Sequence, residues 1–510
     1  MRIAAQQVFT GRKLLPNMSV HLQGAEIVGI GPGDEPGSGP ALLMPGIIDS
    51  HVHLLGLGMS LTALNLKDCN SREAFSRALR EYASGFAGQW IIGRGWDQNK
   101  LGFTPDRHFL DEICPQRPVC LTRVCGHVAA VNSRALELAG IDGNSADVPG
   151  GVIRRDATGQ PTGILEEKAV ALVQRAVPRP EPPVLYSALE RAIKYAHRRG
   201  ITGVHTDDRS IVGDYFRLWQ LYVKVTESCP LRVQLHCQID SLQALNEFIA
   251  VRGELRDTEL VHIGAAKLFL DGSLGARTAA LLEDYSDDPG NRGVLVYPDA
   301  EVRAVMATAE EKGVQLALHA IGDAAVEQAL TLLAEVRGGY RRGRIRHCLI
   351  HCQVVSREQL ARMAALGFIA EVQPGFLRTD MHWAKSRLGA ERLQASYCWR
   401  TMADAGVFMT GGSDAPVEDI NPWLGIDAAV LRRDGNGTYA GDWRRDESLT
   451  LEKALALYTA AGAEAAGWET GVIAGGKAAD LAVYECFSAE NLSANSPAQV
   501  FVNGIKVYQR

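Results

Sequence analysis

No apolar run in this 510-residue chain is long enough to span a bilayer. Its first residues, Met-Arg-Ile-Ala-Ala-Gln-Gln, lack the apolar core of a signal peptide, so the expectation is a cytoplasmic protein with no membrane partner. No stretch is rich in lysine and arginine, and the formal net charge is -6. Electrostatics therefore give no reason to expect a nucleic-acid partner. Cysteine is sparse: ten are spread along the chain, which is no framework for a disulfide scaffold, and in a reducing compartment they are expected as free thiols. Cys237 and Cys352 each follow a histidine at a strand end and are expected to pack as small buried hydrophobes. No Gly-x-Gly-x-x-Gly follows the first strong strand, which argues against a dinucleotide-binding sheet.

What is present is the composition of a soluble globular protein, 46% hydrophobic and 22% charged, with length enough for a barrel and a small satellite domain. From Ile201 onward short apolar runs alternate with helical-period segments. The runs are 201–206, 231–237, 265–271, 314–319, 348–353, 368–373 and 407–414, and the strand opening at Ile47 makes eight. Eight strand-helix units predict an α/β fold, a distorted (β/α)8 TIM barrel over 47–466. Amphipathic spacing predicts helices over 300–312 and 357–366, and one long helix over 451–466, capped by Thr450 and ended by Gly467. Both ends of the chain, 1–46 and 467–510, alternate in short glycine-punctuated runs and are expected to pack into one composite β-sandwich domain, since neither has enough apolar surface alone. Residues 54–200 are far longer than a strand-to-helix connection and are expected to form a structured insertion over the active-site mouth.

The strand ends carry the chemistry. In Ile47-Ile48-Asp49-Ser50-His51-Val52-His53, alternation points His51 and His53 the same way, so two imidazoles converge as a metal site requires. Taken alone, such a pair is as well explained as a polar tip where a strand meets a loop. Strand four sends Lys267, Phe269 and Asp271 inward. A lysine inside a barrel is costly unless paired or modified, so it is either ion-paired to Asp271 or converted by carbon dioxide into a carbamate able to bridge two metal ions. Strands five and six end in His319 and His351, read as inward by parity. Strand eight ends in Thr410-Gly411-Gly412-Ser413-Asp414, where a carboxylate can both touch a metal and take a proton from water.

Taken together with Pro45-Gly46, Gly95-Trp96-Asp97-Gln98-Asn99, Gly126-His127 with Val131-Asn132-Ser133, Lys267 to Thr278, His319-Ala320-Ile321-Gly322-Asp323, Gly412 to Pro416 and Gly476 to Leu481, these residues resemble the amidohydrolase superfamily. The likeness is to its amidohydrolase family 3 branch, which includes N-substituted formamide deformylases, and it runs nearly end to end. It implies one or two divalent metals, most commonly Zn2+, with His51, His53 and Asp414 on the more buried ion and His319 and His351 on the other. Lys267, carboxylated, would bridge them. It implies metal-assisted hydrolysis of a non-peptide carbon-nitrogen bond, of N-substituted amide or formamide type, with Asp414 as the catalytic proton carrier. A cyclic-amide or ester hydrolase is the nearest alternative, and a ligand-binding barrel without turnover the rival class. His127 is the candidate for a substrate or oxyanion contact, set against a structural role. Arg277 is a candidate contact to a substrate anion, set against surface and helix-cap roles; Trp96, Asp97 and Tyr285 are candidates for the pocket wall, and Glu167 reads as an ordinary helix-face carboxylate. Where the family has an aspartate and a tryptophan this chain has Cys125 and Ala130, which leaves a relative's substrate untransferable. Ile350 stands in place of the glutamate of Ile-Glu-His-Ala-Gln and is expected to face away from the metals. The partner is a small-molecule substrate; a homodimer is the candidate assembly.

Overall fold

The computed structural model describes residues 1–33, 37, 39–86, 88–123, 128–148, 151–435, 438–439 and 443–510. The chain divides into two compact units, one of Met1–Gly58 with Pro182–Arg510 and one of Met59–Glu181.

The first unit contains the barrel. Its strands follow chain order around one parallel sheet: Ile47–Val52, Ile201–Asp207, Arg232–Gln238, Val261–Phe269, Leu316–Ala320, Cys348–His351, Ile369–Val372 and Phe408–Gly411. These are barrel strands one to eight. Strand eight returns to strand one just past its end, where the Asp414 amide donates to the His51 carbonyl at 2.7 Å and the His53 amide to the Ala415 carbonyl at 2.8 Å. Gly412 permits that approach, because a Cβ there would stand 2.5 Å from the His51 backbone nitrogen. Strands buried on both faces read as near-continuous apolar runs, which is why the eight were visible in the sequence.

The helices between them follow local signals. Arg357–Leu366 starts on a capping box formed by Ser356 and Gln359 and stops at Gly367, φ +77°. The helix expected over 451–466 is two, Leu451–Leu457 and Ala460–Ala466. The reason is tertiary: the Tyr458 carbonyl accepts the Ile48 amide of strand one at 2.7 Å, which takes it out of the helical ladder. Pro182–His197, inside the expected insertion, belongs with the barrel unit and buries Leu185, Ala188, Leu189, Ala192, Ile193 and Ala196 at helical spacing.

Both chain ends build one eight-stranded sheet in this unit. Leu42–Pro45 pairs antiparallel with Leu481–Tyr484, and Ala5, Val8, Val20, Leu43, Leu481 and Phe501 share one core. Neither terminal piece has that core without the other.

The second unit is a six-stranded mixed sheet with apolar clusters of its own. Asn132, fully buried, ties it together: its carbonyl oxygen accepts the Val119 and Ala135 amides, and its NH2 donates to the Cys114 and Arg117 carbonyls. Among the described residues no helix is long and apolar enough to cross a membrane.

Candidate metal centre

The barrel strand ends bring His51, His53, Lys267, His319, His351 and Asp414 together. Asp414 Oδ1 lies 3.4 Å from His51 Nε2 and 3.3 Å from His53 Nε2. It is buried, yet accepts no aligned hydrogen bond. Lys267 Nζ is 3.5 Å from His51 Nε2, and His351 Nε2 is 3.0 Å from His319 Nδ1. His51, His351 and Asp414 each offer a ligand atom within 4.8 Å of the others.

These distances fit a shared ion. Two ligands about 2.0–2.2 Å from a zinc ion at a tetrahedral angle stand about 3.3–3.6 Å apart. The ring nitrogens facing inward are also the ones free to ligate. His53 Nδ1 is 2.6 Å from the Asp207 carbonyl and His319 Nε2 is 3.1 Å from the Gly272 carbonyl. A carbonyl only accepts, so those nitrogens carry the protons, and His53 Nε2 and His319 Nδ1 present lone pairs to the centre.

Burial favours the neutral form of His51, His319 and His351, whereas at His53 the Asp414 carboxylate outweighs burial and raises the pKa. Burial lowers His51 and His319 to about 4 each, with the Lys267 ammonium adding to the shift at His51, and takes His351 well below its usual value. Burial pushes Asp414 upward, but the imidazoles of His51 and His53 outweigh it and keep the carboxyl well below the ordinary range. Asp49 braces the centre from behind: one oxygen accepts the His51 and Ser413 amides and the other accepts the Ser413 hydroxyl at 2.5 Å. Strands one and eight are thereby locked in register where their ligands must meet.

Two ligand candidates leave the regular ladder. His351 has φ +78° and Asp414 φ +56°, both in the left-handed region that non-glycine residues rarely occupy. The ladder sets Ile350 beside His319 and beside Glu371, so Ile350 faces the barrel interior, in an apolar cluster with Ala265, Ala317, Cys348 and Ile369. The expectation that Ile350 faces away is corrected: alternation would turn His351 out, and its left-handed backbone brings it back to the mouth.

The structure also corrects the ion pair considered for Lys267. Its partner is Asp207 of strand two, with Oδ2 at 3.4 Å. Asp271 instead accepts the amides of Ala280, Ile321 and Gly322 and lies 3.5 Å from His319 Nε2. Asp207 was missed in the sequence although its signal was there: in His205-Thr206-Asp207 a second acidic strand end follows the parity of the first strand. Glu371 was missed too, a lone charge inside the four-residue strand Ile-Ala-Glu-Val, fully buried.

The remaining candidates fall elsewhere. Trp96 lies in the apolar core of the second unit, its indole N–H donating to the Leu121 carbonyl at 2.7 Å. Asp97 caps the short helix Gln98–Leu101 and pairs with Arg123 at 3.3 Å. Arg277 makes two 3.0 Å hydrogen bonds to Asp287, and the buried Tyr285 donates to the Ala279 carbonyl. His127 and Cys125 lie outside the described residues.

A nearly closed parallel barrel with imidazoles, a lysine and a carboxylate converging at its strand ends defines a metal-dependent hydrolase of the TIM-barrel class. Residues 41–508 match the model of the amidohydrolase family, and the chain belongs to that family. It is 37% identical over 428 residues to the YtcJ protein of Bacillus subtilis (strain 168), covering 82% of this chain and 79% of that one. With the N-substituted formamide deformylase of Arthrobacter pascens it shares 28% identity over 501 residues, 92% of this chain and 88% of the relative. A crystal structure of an uncharacterized metal-dependent hydrolase from Pyrococcus furiosus superposes with a TM-score of 0.76 at 27% identity, covering 96% of this chain and 99% of the other. The protein is thus a hydrolase acting on carbon-nitrogen bonds, with a divalent metal as cofactor.

Proposed function

We propose that the protein hydrolyses a small N-substituted amide or formamide, with His51, His53 and Asp414 holding one Zn2+ and His319 and His351 facing a second. The observation that carries this reading is the Asp414 oxygen standing 3.4 and 3.3 Å from two imidazole nitrogens with no hydrogen bond of its own. When bound, the metal supplies Lewis acidity, polarising the carbonyl and lowering the pKa of water towards about 7. Asp414 takes the proton released as water attacks the carbonyl carbon and delivers it to the leaving nitrogen, so the amine departs neutral. Asp49 keeps the Asp414 loop and His51 in fixed register during that transfer. Lys267 is proposed to react with carbon dioxide, forming an N–C bond and losing a proton; the resulting carbamate would exchange the Lys267–Asp207 attraction for ligation. A substrate of the formamide type is supported by the relative from Arthrobacter pascens, whose name states that activity.

The test is metal analysis of the purified protein with rates on an open N-substituted formamide, a cyclic amide and an ester, before and after exhaustive chelation. The expected result is bound zinc, preference for the open amide, and loss of turnover on chelation that added Zn2+ restores. Full activity in metal-free protein would overturn the mechanism, and faster turnover of the cyclic amide or ester would replace the substrate class.

A further inference from the structure

Beneath the mouth lies a second set of buried polar groups that the mechanism does not use: His205, His236 and Glu371, with ligand atoms within 4.8 Å of one another. Both Glu371 oxygens, His236 Nε2 and His205 Nε2 lack hydrogen-bond partners, and all three residues are wholly or almost wholly buried. A third metal ion is one reading of this trio, but the protons argue against it. His236 Nδ1 accepts the Ala265 amide at 3.0 Å, so its lone pair is spent there and Nε2 carries hydrogen. A protonated nitrogen cannot ligate.

That proton has another destination. His236 Nε2 faces Glu371 Oε1 at 3.8 Å, and His51 Nδ1 faces Glu371 Oε2 at 4.0 Å. His51 turns Nε2 to Asp414 and Lys267, so a neutral His51 that ligates through Nε2 must carry its proton on Nδ1. Two N–H donors therefore aim at the two oxygens of one carboxylate. The gaps exceed a charge-assisted hydrogen bond by about 1 Å, which small rotations of the glutamate side chain can close. The Cys348 thiol, the Lys267 ammonium and His205 also act on or stand near this carboxylate.

We infer that Glu371 is a positioning residue for the metal centre: it receives the Nδ1 proton of His51, fixes that ring with Nε2 toward the ion, and is itself held in place by His236. This rests on the reading of His51 as a ligand. Partners of this kind set ring orientation and ligand basicity, and their loss weakens metal affinity about 10- to 100-fold. The carboxylate comes from strand seven, a strand that supplies no ligand.

The test is Co2+ binding to the chelated full-length protein, by competition with a chromophoric chelator, with the visible absorption of bound Co2+ recorded. Glu371→Gln should weaken the tightest site about 10- to 100-fold and change the Co2+ spectrum, with Glu371→Asp recovering part of the affinity. His236→Gln should weaken it roughly threefold to tenfold, and this effect should vanish in the Glu371→Gln background. A folded Glu371→Gln protein with wild-type affinity and spectrum overturns the inference. So does loss of one extra metal equivalent with the tightest site intact, which would make the trio a metal site. If Glu371→Gln does not fold, unchanged Co2+ affinity in His236→Gln overturns it. Wild-type protein that binds no metal sinks the reading of His51 as a ligand instead.

Discussion

Asn132 and Asp414 are both buried polar side chains, one in each compact unit, and the molecule treats them in opposite ways. Asn132 uses its carbonyl oxygen twice and both N–H bonds once, all on backbone groups at 2.8–3.0 Å. Asp414 Oδ1 is left facing two imidazoles with no aligned donor. The contrast is general: among the described residues of Met59–Glu181 no buried side-chain polar atom lacks a partner, whereas at and beneath the barrel mouth Asp207, His351, Glu371 and Asp414 each carry a buried polar atom without one. An unmet buried polar group costs about 1–3 kcal/mol, so a cluster of them is retained for something other than stability. Polar burial that is fully answered builds a scaffold; polar burial left open marks a site.

The contrast can be broken most sharply at Asp414. Asp414→Asn should lower kcat about 10³-fold. It should leave the metal-free protein folded, with thermal unfolding unchanged or somewhat lower, since the imidazoles of His51 and His53 lose the carboxylate that they face. Loss of stability with normal turnover would reverse the assignment. Next, Zn2+ at a thousandfold excess over its Kd should stabilise the protein by about 4 kcal/mol. Hydrogen exchange should slow around His51, His53 and Asp414 and stay unchanged around Asn132; protection at Asn132 alone would refute the division. Asn132→Ala should then cost about 3 kcal/mol while Co2+ affinity is unmoved, measured by denaturant unfolding and chelator competition.

A buried histidine away from the mouth gives a smaller test. His197 hydrogen-bonds the Pro230 carbonyl at 2.9 Å, and burial lowers it to about 4 from 6.5. The folded state therefore binds fewer protons than the unfolded one below pH 6.5. Its contribution is complete above pH 6.5 and is lost as pH falls from 6.5 through about 4. His197→Gln should flatten the pH dependence of stability in that window; an unchanged slope would count against it. The smallest effect is expected at Arg277, whose partly exposed pair with Asp287 should contribute little. Arg277→Ala should leave unfolding nearly unchanged, and a tenfold rise in KM would restore it as a substrate contact.

Much of this was legible in the chain. Eight apolar runs gave the barrel, because strands buried on both faces cannot hide their composition. His51, His53 and Asp414 were found from position at strand ends. Alternation failed where the backbone leaves the ladder: it put Ile350 on the wrong face, and His351 reaches the mouth through its left-handed backbone rather than by parity, since a left-handed residue cannot be read from periodicity. It also failed at the 451–466 helix, where a distant amide claims the Tyr458 carbonyl. Asp207 and Glu371 were overlooked because a single charge in an apolar run carries no period.

The two left-handed residues bear on any attempt to reuse this centre. On an idealised cylinder of unkinked strands, position 351 would point into the surrounding helices and the loop carrying position 414 would take another course. A transplanted ligand set would then assemble only in part unless both local bends travelled with it.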